Sequence, residues 1–103
     1  MKTPTVTAMR IGRHTNSIEA KIDDLMGEVG LLIAEMTEFA TTAQIERGAG
    51  QRPIARVIQL QGKLVEARSK IVGAHSDMRR IAERADMPVG CPKTAQAGNV
   101  VNG

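Results

Sequence analysis

The side chains able to do chemistry are few in this sequence, and they are scattered. His14, His75 and Cys91 are the only histidines and the only cysteine. None of them stands at a metal-binding spacing such as Cys-x-x-Cys or His at i and i+4. Carboxylates are denser, with Asp23, Asp24, Glu28, Glu35 and Glu38 gathered along one stretch. Helical bundles that hold two metals use a Glu followed by His three residues later, facing the core. No His follows a Glu in that way here, so these acids are expected to form a solvated face. Gly27-x-x-Gly30 has the look of a phosphate-binding loop, but it falls inside a helical repeat rather than between a strand and a helix. No nucleophile, base and orienting group come together in the sequence. The expectation is therefore no enzyme, no catalytic residue, no cofactor and no bound metal.

Basic residues form the one pattern that could hold a ligand. Arg52, Arg56 and Lys63 stand at one end of a later segment, Arg79, Arg80 and Arg84 at its other end, and Arg10 and Arg13 near the start of the chain. Charges of this kind suit phosphate contacts. Sequence-specific recognition would also need a compact helix-turn-helix, and single-strand binding would need aromatic platforms. Phe39 is the sole aromatic residue. Nonspecific contact with nucleic acid by a small basic helical dimer is thus an alternative to a merely solvated surface.

The elements that would position these groups are helical. Ile18, Ile22, Leu25, Val29, Leu32, Met36, Phe39 and Ala43 recur at steps of four and three, a heptad seam, and Met26, Ile33 and Ala40 widen it on one flank. Asn16 or Ser17 is a candidate cap, with Glu19 three residues beyond Asn16. The pattern predicts a helix over 17–47. Gly48, Gly50 and Pro53 predict a turn over 48–52. A second helix is predicted over 53–86, with Val57, Leu60, Leu64, Ala67, Ile71, Ala74, Met78, Ile81 and Ala85 as its seam. So short a connection makes the helices antiparallel neighbours. Residues 1–16 are expected to be an extended arm, with a β-tolerant run around Thr5-Val6-Thr7, and residues 87–103 an irregular tail rich in Pro and Gly. The fold class predicted is all-α, a long coiled-coil-like antiparallel hairpin with extended terminal arms, completed as a helical bundle by oligomerisation.

Charge divides along the same lines. Residues 17–47 carry seven acids against two bases, and residues 51–86 carry eight bases against four acids. Opposite signs favour pairing of unlike helices and disfavour a helix on a copy of itself.

Two helices cannot cover every apolar stripe in the pattern. Ile58, Val65 and Val72 repeat every seven residues beside the later seam, and Met26 and Ile33 flank the earlier one. These five residues are the predicted interface, since contiguous apolar surface marks contact sites. The expected role is structural: a small helical subunit packing against copies of itself or other subunits of a larger particle, such as a phage virion or a tail or neck complex. A helical adaptor or chaperone for a partner helix is the other alternative. The lone cysteine argues for a reducing compartment, and no signal peptide or membrane span is apparent, so a cytoplasmic location or a particle assembled there is expected.

Overall fold

The computed structural model describes residues 3–87. Two helices account for nearly all of them: α1 spans Pro4–Thr42 and α2 spans Arg47–Arg84. No strand occurs among the described residues, and the all-α class follows. The predicted tail and Cys91 lie outside the described residues.

The largest departure from expectation is at the start. Residues 4–16 are not an extended arm but the opening turns of α1. Thr3 caps them: its Oγ1 accepts from the Val6 amide at 3.2 Å, and Pro4 occupies the first helical position, where a missing N–H costs nothing. Asn16 and Ser17 therefore sit within the helix, not at its edge. Threonine hydroxyls in this stretch bond back along the helix, Thr7 within the run that suggested a strand and Thr15 beyond it. Thr7 Oγ1 donates to the Thr3 carbonyl at 3.2 Å and Thr15 Oγ1 to the Ile11 carbonyl at 2.8 Å.

Both helices stop by the same device. Gln44 takes a left-handed conformation with φ of 53°, the Ile45 amide reaches the Ala40 carbonyl at 3.0 Å, and the Gln44 amide reaches Thr41 at 3.3 Å. At the end of α2 Asp86 has φ of 58°, Met87 reaches Ala82 at 2.8 Å and Asp86 reaches Glu83 at 3.1 Å. This is the Schellman arrangement, here built on residues other than glycine. The turn thus falls on 43–46, ahead of the predicted 48–52. Gly48 and Gly50 are already helical. Glu46 caps α2 by accepting the Gly48 amide on Oε1 at 3.1 Å. Pro53 lies inside α2, where its ring leaves the Ala49 carbonyl without the usual donor.

Contacts divide the described residues into two compact units, one joining residues 3–19 with residues 71–87, the other Ala20–Lys70. In the first, called the terminal unit, Ala8, Ile11, Gly12 and Thr15 of α1 face His75, Met78 and Ala82 of α2 around a cavity of about 10 Å³. Gly12, Thr15 and Ala82 are buried. The second, the turn unit, is a helical hairpin. Its α1 strip of Ile22, Met26, Val29, Ile33, Met36 and Ala40 meets Gly50, Ile54, Val57, Gln61, Leu64 and Arg68 of α2, and only Val29 is buried.

Candidate interaction surface

Polar side chains occupy places in the helix contacts that apolar ones were expected to take. Gln61, Arg68 and His75 repeat every seven residues along α2. In the turn unit, Gln61 Nε2 donates to the Met26 carbonyl at 2.9 Å, and Arg68 Nε donates to Asp23 Oδ1 at 2.6 Å. In the terminal unit His75 Nδ1 lies 3.1 Å from Glu19 Oε2. Among the described residues Gln61 Oε1 and His75 Nε2 are buried without a hydrogen-bond partner. Gln61 and His75 give up water to make these contacts, which offsets much of what the contacts contribute to stability, whereas Asp23 and Arg68 stay about half exposed.

The inward turn of these residues displaces others. Leu60, Ala67, Ala74 and Ile81, predicted for the α2 seam, are exposed, as are Ile18, Leu25, Leu32 and Phe39 of α1. Met26 and Ile33, predicted for an outer interface, are instead half-buried within the turn-unit hairpin. Each stands one residue beyond an exposed leucine, so a small rotation of α1 exchanges the two stripes. Ile58 and Val65 in the turn unit and Val72 in the terminal unit are exposed.

The turn unit presents two distinct sides. On one, Glu35, Met36, Phe39, Ala40, Ile45, Ala49, Gly50 and Pro53 line an open, mostly apolar groove of about 400 Å³. Phe39 is 64 % exposed beside it. On the other, Thr37, Thr41, Gln44, Arg47 and Gln51 line a more polar hollow with Ala40, Ile45, Gly50 and Ile54. The heptad repeat carries the first side along both helices, through Leu32 and Leu25 on α1 and through Leu60 and Ala67 on α2. Ile58 and Val65 belong to the second side.

The residues first singled out for chemistry do not converge. His14 is exposed, and among the described residues no group of three or more His, Cys, Asp or Glu could hold a metal ion. Asp24, Glu28, Glu35 and Glu38 are exposed along α1, and Asp23 engages Arg68. Of the basic residues, Arg52, Arg56 and Lys63 lie in the turn unit, with Lys63 3.7 Å from Glu66. In the terminal unit Arg80 pairs with Asp77, Arg84 is exposed and Arg79 is half-buried. Arg56 and Lys63 share a line with Lys70 at seven-residue spacing, and Arg52, four residues before Arg56, lies on the same face of α2. No helix among the described residues is long and apolar enough to cross a membrane.

Sequence reasoning passed over Leu25, Leu32, Phe39 and Leu60 as surface residues, because they are the bulkiest apolar side chains of the repeat. The signal that marks them was present: polar residues seven apart on α2, matched by Glu19 and Asp23 on α1. Compared with known proteins, the chain matches no family, and no curated protein or solved structure is significantly similar to it.

Proposed function

We propose that this chain is a structural subunit whose work is assembly: a helical element that packs against copies of itself or against other subunits of a larger particle. One observation carries this. No side chain among the described residues is fully buried, while thirteen large hydrophobic residues are exposed. A soluble chain that keeps so much apolar surface uncovered has a use for it in contact. Helix pairs gain their stability from tertiary burial rather than from propensity, and packing against another subunit would supply more of it.

Solution mass across a concentration series tests the proposal. Light scattering with refractive-index detection is required, since the chain has neither Trp nor Tyr. The expected result is a defined oligomer, or growth of mass with concentration. A folded monomer at every concentration would overturn self-assembly and leave a client-dependent adaptor as the better account.

A further inference from the structure

We propose that the groove side of the turn unit is a self-complementary interface, on which a second copy docks with its α1 against α2 of the first. This rests on the assembly role and names its partner and geometry. The centre of that side is apolar: Leu25, Leu32 and Phe39 from α1, Leu60 and Ala67 from α2, all exposed. The rims differ in charge. Glu28 and Glu35 lie three or four residues from Leu25, Leu32 and Phe39, so they edge the same side on α1. Arg56, Lys63 and Lys70 stand in the same relation to Pro53, Leu60 and Ala67 on α2. Among the described residues Glu28, Glu35, Arg56 and Lys70 have no ion-pair partner in the chain, and Lys63 has only the 3.7 Å contact with Glu66.

The register follows from the Asp23–Arg68 pair, which makes those residues level. Equal steps toward the turn along both helices bring Glu28 level with Lys63 and Glu35 level with Arg56. A two-fold axis parallel to the helices preserves these levels and sets α1 of one copy over α2 of the other. Glu28 then meets Lys63 of the second copy, and Glu35 meets Arg56, each twice. A two-fold axis across the helices would set α1 on α1 and oppose acid with acid. Charge therefore selects the parallel axis and a four-helix bundle with antiparallel neighbours. In that bundle Phe39 of one copy is level with Arg52 of the other, one residue from Pro53 at the mouth of the groove, where a lone aromatic makes an anchor. One pair runs against the pattern: Lys21 is level with Lys70.

Charge exchange in the full chain tests the pairing, with mass measured as above and helicity followed by circular dichroism. Glu35→Lys and Arg56→Glu are each expected to raise the dimer dissociation constant about tenfold at low salt, from two reversed pairs per dimer. The double variant restores it. Lys70→Glu, which removes the like-charge pair, tightens the dimer. Leu32→Glu with Leu60→Glu abolishes it while helicity persists. An oligomer indifferent to all of these but broken by Ile58→Glu with Val65→Glu would overturn this interface and keep the assembly role. A monomeric parent chain would remove this interface and self-assembly with it.

Discussion

The two units of the chain solve the same problem with opposite materials. The terminal unit joins its helices through Gly12, Thr15 and Ala82, all buried, with Ala8 close by. The turn unit uses Met26, Ile33, Met36, Ile54 and Leu64, yet only Val29 is buried there. Small residues let two backbones approach until little space remains between them. Longer side chains on a bare pair of helices protrude past the line of contact and keep part of their surface in water. Exposed large hydrophobics are about as frequent in both units, eight in the turn unit and five in the terminal unit, and what the turn unit adds is the open apolar groove beside Phe39. Tight closure in one unit and an open apolar side in the other are what separate holding a fold from offering a surface.

The sharpest way to break this comparison is to add the same bulk to each unit. Ala82→Leu forces extra methylenes into a contact whose adjoining cavity is about 10 Å³. It is expected to cost about 1–3 kcal/mol, as overpacked cores do. Ala67→Leu adds identical volume to an exposed position of the turn unit and should change monomer stability by no more than about 0.5 kcal/mol. Urea unfolding followed at 222 nm measures both. Equal costs would mean that the terminal unit is no more closely packed than the other.

A smaller effect of opposite sign is expected at Gln61. Its Oε1 is buried without a partner, and its Nε2 donates to a Met26 carbonyl that already serves the helix. Gln61→Leu removes the unsatisfied oxygen and adds apolar contact with Met26 and its neighbours. The variant should be more stable by roughly 1 kcal/mol. It should also be less particular about register, because the hydrogen bond that distinguishes one alignment of the helices is gone. Loss of stability in this variant would show that the amide contributes more than it costs, and that the turn unit depends on its polar contacts as the terminal unit depends on its small ones.

How far these contrasts were legible in the sequence differs by feature. Helical character, the antiparallel turn and about half of the contact strip followed from the three-and-four spacing. Ile22, Val29 and Met36, with Val57, Leu64 and Met78, are in both the expected and the observed strips. The rotation of each helix was not legible, because two adjacent stripes have the same period and hydrophobicity favours the wrong one. Ile18, Leu25, Leu32 and Phe39 outrank Glu19, Met26, Ile33 and Ala40 as apolar residues. The structure turns the weaker stripe inward because its polar members find partners across the contact, which a ranking by side chain cannot register. The start of α1 was hidden for a related reason. Thr5, Val6 and Thr7 favour strand by propensity, while Thr3-Pro4, the signal that wins, is a local cap.

Glycine supplies the finest test of where space is available. A methyl group added at Gly27 or Gly62 in the turn unit meets nothing within 4 Å. Gly27→Ala and Gly62→Ala should each therefore stabilise the isolated chain by up to about 1 kcal/mol, the helix-propensity gain alone. Gly50 is different, since its added carbon would stand 3.3 Å from Ala40 Cβ and 3.5 Å from Ile45 Cγ2. That is where α2 passes closest to the end of α1, so Gly50→Ala should lose most of the propensity gain to crowding at the turn. Thermal unfolding of the three variants ranks them. If Gly50→Ala gains as much as the other two, the turn has room to spare, and the open character assigned to this unit extends to its tightest point.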